Sequence, residues 1–259
     1  MCTVSRMEKI YFLHIPKTAG SSFKRILSSM YPENEVLEFY QRDKLLSFNP
    51  QKHRLLLGHL GFDISTLTQN FDVVTFLRCP IKRAISNYHQ VLRSTEHYLH
   101  ELVKELGSFS AFIRDKRCQD CIANIQTKYL GLDISFSELI KYHTEASLIA
   151  LTPQELHSKL LSLSDENIIK GRAFERLSNM AFFGLCERFD DSVSLFQKCY
   201  PQLGGGERER AQLNVTRDGV KLSDLSSEDL IIIKNINYLD MHLYENAVSL
   251  FNSRLESVC

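Results

Sequence analysis

The chain has 259 residues, with 31 Lys plus Arg against 31 Asp plus Glu and a formal net charge of zero. That balance excludes a nucleic-acid protein working through a bulk basic surface, and equally an acidic tail protein. A hydrophobic content of 44% with 24% charged residues excludes a disordered chain, and no apolar run reaches the roughly 18 residues of a membrane span.

The segment Met1–Lys9 carries no apolar core of the secretory kind. Lys9–Ile15 is apolar, rich in Ile, Tyr and Phe, and stopped by Pro16, so it predicts a buried strand. Thr18–Met30 has helical spacing, with Phe23, Ile26 and Leu27 on one face. Strand, short loop and helix open an α/β unit. Further strands are predicted at Glu35–Tyr40, Arg54–Leu57 and Phe71–Leu77, and Pro80 then opens a helix running to about Arg93. Helical patterning follows at 97–105, 108–115, 119–130, 135–143 and 152–162, the last behind a Thr152-Pro153-Gln154-Glu155 capping box. Ala181–Leu185 reads as a return to the sheet, Phe189–Tyr200 as a helix, and 227–255 as one or two closing helices. Residues 201–224, with Gly204-Gly205-Gly206, read as a loop that is either a lid or slack. The expectation is one α/β domain over 1–259, three-layered, with a central mainly parallel sheet and a large helical elaboration at about 97–180.

Seven irregularly spaced cysteines read as reduced thiols, which points to a cytoplasmic location. Cys118 and Cys121 form a lone Cys-x-x-Cys with no second pair or nearby His, and read as a structural pair on a helix, a redox role being the alternative.

Two segments carry chemistry. His14-Ile15-Pro16-Lys17-Thr18-Ala19-Gly20-Ser21-Ser22 lies between the first strand and its helix. A helix N-terminus presents free N–H groups and the positive end of its dipole to an anion. Lys17 adds a charge, Thr18, Ser21 and Ser22 add hydroxyls, and small Ala19 and Gly20 allow close backbone approach. The nucleoside-triphosphatase loop G-x-x-x-x-G-K-[ST] is not matched: Pro16 stands before Lys17, and Arg78 follows the fourth strand where a metal-holding Asp would be expected. Arg78 instead suits an anion, and Ser86, two helical turns on, faces back toward the strand end. Two anion sites at neighbouring strand ends predict a ligand with two separated phosphates. No ligand cluster for a metal is visible.

His-Ile-Pro-Lys-Thr-Ala-Gly-Ser-Ser-Phe, followed by Phe-Leu-Arg-x-Pro with Ser86 eight residues after the Arg, resembles the two cofactor motifs of sulfotransferases, most closely the branch of heparan sulfate 2-O- and related carbohydrate sulfotransferases. The segment Leu57-Gly58-His59-Leu60-Gly61-Phe62 is similar to that branch's Gly-His segment. Gln126–Leu130, Gly184–Phe189 and Leu213–Thr216 look like softer landmarks, so the likeness runs from about 10 to 245. It implies a P-loop-like fold and transfer of a sulfuryl group from 3′-phosphoadenosine 5′-phosphosulfate (PAPS) to a hydroxyl, with a glycan as acceptor. It implies that Lys17 to Ser22 hold the 5′-phosphosulfate and that Arg78 and Ser86 hold the 3′-phosphate; His14, which precedes the loop, reads as a cofactor contact. Cys79 stands where family members often have Asp, so capping of the next helix is expected to differ. Without an anchor or luminal disulfides, the chain resembles a soluble bacterial-type member.

In-line sulfuryl transfer places growing charge on the bridging oxygen, where Lys17 is the expected stabiliser. The acceptor hydroxyl must lose a proton. His59 follows a strand end beside both anion sites, is mostly neutral at pH 7, and matches the branch's base. Asp63 and Glu187 are rival bases, or partners that orient His59. Lys82, Arg83 and Arg93 read as a solvated helix face, the alternative being attraction of an anionic glycan. A nucleotide kinase or triphosphatase, and a non-catalytic nucleotide-binding relative, are the competing readings. No nucleic-acid partner is expected.

Overall fold

A computed structural model describes residues 8–39, 47–59, 69–132, 165–203 and 219–258. Its sheet has five strands: β1 (Ile10–Leu13), β2 (Val36–Phe39), β3 (Leu55–Gly58), β4 (Asp72–Leu77) and β5 (Phe182–Leu185). They lie in the order β2-β3-β1-β4-β5, all pairs parallel. Every residue of β1, β3 and β5 is buried, which explains why they read as continuous apolar runs rather than alternating ones. The edge strand β2 alternates half-buried and buried residues, so Glu38 can sit among apolar neighbours.

Helices cover both faces. Phe182 turns its ring to Phe23 of α1 (Gly20–Ser28) and to Phe196 of α8 (Phe189–Cys199), with centroids 5.8 and 5.1 Å away. The next residue, Phe183, points the other way and meets Phe251 of α10 (Tyr238–Val258) at 6.2 Å. These three layers around a parallel sheet are the P-loop-like arrangement expected from the sequence.

A second apolar cluster joins α2 (Pro80–Arg93), α3 (His100–Leu106), α4 (Phe109–Arg114), α5 (Lys116–Gln119) and α9 (Ser227–Ile236). The helical elaboration therefore draws on the chain's last third as well as on 97–180. One helix departs from expectation. The stretch 119–130 is broken: α5 ends at Gln119 and α6 (Ile125–Gly131) begins after Asn124, whose φ of 49° is left-handed. In that conformation Asn124 Oδ1 accepts from the N–H groups of Leu239 and Asp240 at the start of α10, 3.0 and 3.2 Å away. A tertiary capping contact thus overrides local helical spacing. The closing helices are two, α9 and α10, parted at buried Asn237, which accepts from Asn124 N–H at 3.1 Å. Helix α7 (Glu166–Asn179), absent from the sequence reading, starts behind Asp165, whose carboxylate caps the N–H groups of Asn167 and Ile168. The predicted helices 135–143 and 152–162 lie outside the described residues, as do Asp63 and the 213–216 landmark.

Candidate active site

In the sheet β1 lies between β3 and β4, with β2 and β3 added on one side of it and β4 and β5 on the other, so the carboxyl end of β1 is the point where an open α/β sheet forms a crevice. Three segments meet there: residues 14–19 after β1, His59 after β3 and Arg78 after β4. Leu13 pairs with Gly58 on one side and with Thr75 on the other, and Thr75 Oγ1 donates to Leu13 O at 2.8 Å.

The loop after β1 has left-handed backbone at Lys17 (φ 72°) and Ala19 (φ 70°), neither of them glycine. Such conformations cost roughly 1–3 kcal/mol each and turn backbone N–H groups into an anion-binding hollow. Thr18 is fully buried, and its hydroxyl donates to Ile15 O at 2.8 Å, so the side chain braces the loop from within. The N–H groups of Ser22 and Phe23 bond to Ala19 O, which starts α1, and the N–H groups before them lack intrahelical acceptors by geometry. Gly20 is required by contact: a Cβ there would lie 1.8 Å from the His14 ring.

Arg78 ties the segment after β4 to the loop after β1, its Nη1 donating to Lys17 O at 3.1 Å. Its Nε is buried and finds no protein acceptor among the described residues. A buried guanidinium nitrogen without a carbonyl or carboxylate fits an anionic ligand. Lys17 Nζ donates to Gln90 Oε1 at 3.1 Å. Burial, then the charges of Arg93, Arg78 and Arg83, push the Lys17 ammonium down to about 8.

A cleft of about 560 Å³ collects these groups. Lys17, Ala19, Gly20, Ser21 and Ser22 line one side, and Arg78, Lys82, Ser86, His89, Gln90 and Arg93 the other. Apart from Arg78, which follows β4, the second set is one face of α2, recurring at helical spacing. Lys82 and Arg93 therefore belong to the cleft, not to a merely solvated face. Arg83 is a correction of another kind. It is 0% exposed, turned to the opposite side, and its Nη2 donates to Ile122 O at 2.6 Å. The sequence reading missed Gln90 and His89, although both lie one turn beyond Ser86 on the same face. Val220 and Lys221, in the last part of the 201–224 segment, also border this cleft.

A second hollow, of about 570 Å³, is lined by His59, His14, Ser21, Lys24, Arg25, Ser28 and Glu38. His14 and Ser21 border both spaces. The His14 and His59 rings lie 4.5 Å apart between centroids. His59 Nδ1 lies 2.6 Å from His14 O. A carbonyl only accepts, so Nδ1 carries the proton and Nε2 is left as the ring's basic atom. Burial lowers the His59 pKa below 6.5, the bond to His14 O opposes that fall, and Lys24 adds to it. His14 is driven well below 6.5 by burial, then by His59, Lys24 and Lys17. Both imidazoles are neutral at pH 7.

Glu187 does not orient His59. Its carboxylate accepts the Cys79 N–H at 3.2 and 3.3 Å and the Tyr244 hydroxyl at 2.8 Å. Cys79, the N-cap of α2, makes no side-chain cap. A carboxylate from the end of β5 thus stands at the helix start where a capping Asp is missing.

The comparisons with known proteins decide the family. The model of the Sulfotransferase family matches residues 1–246. The chain belongs to the sulfotransferase family. It is a PAPS-dependent O-sulfotransferase. A curated relative, heparan-sulfate 6-O-sulfotransferase 2 of Gallus gallus, is 26% identical over 289 aligned residues, covering 95% of this chain and 68% of that protein. The crystal structure of mouse sulfotransferase SULT7A1 complexed with PAP is 14% identical, covers 93% of this chain and 90% of that one, and has a TM-score of 0.35. This relative carries the likeness to the carbohydrate branch.

The close approach of His14 to Gly20 lies on the border of the cleft. Gly20→Ala is expected to push the imidazole aside and to weaken binding of the desulfated donor by roughly tenfold or more, an effect of about 1.4 kcal/mol. Titration calorimetry measures it, and unchanged affinity would show that the contact is dispensable. Among the described residues no group of three or more His, Cys, Asp or Glu is placed to hold a metal ion, and no helix is long and apolar enough to cross a membrane.

Proposed function

We propose that this sulfotransferase acts on a carbohydrate hydroxyl, with Lys17 and the loop to Ser22 holding the donor's 5′-phosphosulfate, Arg78 and Ser86 its 3′-phosphate, and His59 acting as base. The observation that carries this reading is the Arg78 guanidinium, which reaches Lys17 O through one nitrogen and keeps a buried Nε without a protein acceptor. It links the two anion segments at a fixed span, as a bis-phosphorylated nucleoside demands.

PAPS supplies an activated sulfuryl group when bound. The chain's own residues do the rest. The hollow holding His59, Lys24, Arg25 and Glu38 receives the acceptor, and its polar lining suits a sugar better than a lipid or a phenol. His59 Nε2 takes the hydroxyl proton as the acceptor oxygen forms its bond to sulfur. Lys17 Nζ, with the loop N–H groups, neutralises charge on the phosphate oxygen that departs from sulfur. His14, neutral and beside both hollows, positions His59 through its carbonyl. Thr18 contributes backbone and bracing, not its hydroxyl. The whole chain acts as one α/β unit in this reading. Five cysteines, Cys79, Cys118, Cys121, Cys186 and Cys199, are free thiols, which supports a reducing, cytoplasmic setting. Burial raises the thiols of Cys118 and Cys121 to about 11 and about 12, which supports a structural rather than a redox pair.

The test is incubation with labelled PAPS and a panel of glycans, lipids and phenols. Label is expected in a glycan; transfer only to a lipid or a phenol would overturn the acceptor assignment. The pH dependence has a defined sign. In the free enzyme Lys17 titrates at about 8, so kcat/KM for the donor falls above that pH as the ammonium is lost. On the acid side it falls only below 6.5, where His59 becomes protonated. An acid limb above 6.5 would contradict His59 as base.

A further inference from the structure

The landmark Gln126–Leu130 has no part in the chemistry above, yet its first residue reaches the donor site. Gln126 is 0% exposed and stands at the start of α6. Its Oε1 accepts the Arg78 N–H at 2.8 Å, and its Nε2 donates to the Arg78 carbonyl at 2.9 Å. The side-chain amide thus closes both backbone hydrogen bonds of Arg78, one residue beyond the last ladder pair of β4 and β5. It continues the sheet by one rung where no strand is available.

The amide is itself held. Asp240, also 0% exposed, accepts the Gln126 N–H at 3.1 Å and the Thr127 N–H at 2.7 Å, and Gln126 Nε2 stands 3.5 Å from the same carboxylate. Asp240 lies in the first turn of α10, whose N–H groups are capped in return by Asn124. The two helix starts therefore cap each other, and the pair fixes the position of Gln126. One turn further along α10, the Tyr244 hydroxyl bonds Glu187, which holds the Cys79 N–H. Helix α10 thus braces both residues that follow β4, Arg78 through Gln126 and Cys79 through Glu187.

We propose that Gln126, locked by Asp240, is a positioning residue of the donor site that sets the Arg78 backbone so that its guanidinium meets the 3′-phosphate. The inference rests on the reading of Arg78 given above. Freed from the amide, the strand end can rotate, the Arg78 fork loses its aim, and recognition of the 3′-phosphate weakens while the loop of residues 17–22 keeps its grip. The signature is selective. Affinity for 3′-phosphoadenosine 5′-phosphate falls, and affinity for adenosine 5′-phosphate, which lacks the 3′ group, does not.

Calorimetry with both nucleotides on the native protein and on Gln126→Ala, Gln126→Glu and Arg78→Ala tests this. Gln126→Ala is expected to shrink the ratio of the two affinities about tenfold, with the adenosine 5′-phosphate value unchanged within about twofold. Gln126→Glu is isosteric, keeps an acceptor for the Arg78 N–H and loses the donor to the carbonyl, so it is expected to shrink the ratio in the same direction. It decides the matter should the alanine variant fail to fold. An unchanged ratio in the folded Gln126 variants, or an equal loss for both nucleotides, would overturn the positioning role. Should Arg78→Ala itself leave the ratio unchanged, the assignment of Arg78 to the 3′-phosphate fails instead, and the two failures are told apart in one experiment.

Discussion

Replacing His59 by Ala is expected to lower kcat by roughly 10²- to 10⁴-fold, the usual worth of a positioned base, while leaving nucleotide affinity within about twofold. The split follows from where the ring sits. His59 lines the hollow with Lys24 and Glu38, not the cleft with Arg78 and Ser86. Its Nδ1 proton is committed to His14 O at 2.6 Å, which fixes the tautomer and presents Nε2 as the basic atom. Removing the ring also removes its packing on His14, so thermal melting should accompany the kinetics. Full turnover in a folded His59→Ala protein would move the base elsewhere. Asp63 would then be the first residue to replace, because Glu187 is already bonded to Cys79 and Tyr244.

The second large effect is expected at the anion segments. Lys17→Ala and Arg78→Ala should each weaken 3′-phosphoadenosine 5′-phosphate binding by roughly ten- to a hundredfold, because a hydrogen bond to a charged group is worth about 1.5–3 kcal/mol. The two differ in kind. Lys17→Ala should also lower kcat, since its ammonium faces charge that grows during transfer. Arg78→Ala should act on binding alone, and it also leaves Lys17 O without its donor. Arg78→Lys is not expected to restore affinity, because a point charge cannot make the fork that spans the loop carbonyl and a phosphate. Unchanged nucleotide affinity in both alanine variants would end the donor-site assignment.

The parts legible in the sequence are those fixed by local chemistry. All five strands were readable, β1, β3 and β5 because parallel strands buried on both faces are unbroken apolar runs, and each of the five ends within two residues of its expected limit. The loop at 14–22 was readable because a Lys, small residues and hydroxyls between a strand and a helix have few other uses. The rest depends on partners distant in the chain. Nothing near Asn124 signals a left-handed break, since its reason is the start of α10 more than a hundred residues later. Arg83 carries a charge and sits beside exposed Lys82, so only the packed structure reveals it as a buried donor to Ile122. Gln126 could be noticed as a landmark, but its role lies in bonds to Arg78 and Asp240 on two other elements.

The most direct measurement is the crystal structure of the complex with 3′-phosphoadenosine 5′-phosphate. The 5′-phosphate is predicted to lie on the backbone N–H groups of residues 17–22 beside Lys17 Nζ, and the 3′-phosphate on the Arg78 guanidinium and Ser86 Oγ, with His59 Nε2 facing the 5′ end across Ser21. A nucleotide bound in the reverse sense, or seated away from the carboxyl ends of β1 and β4, would contradict the account.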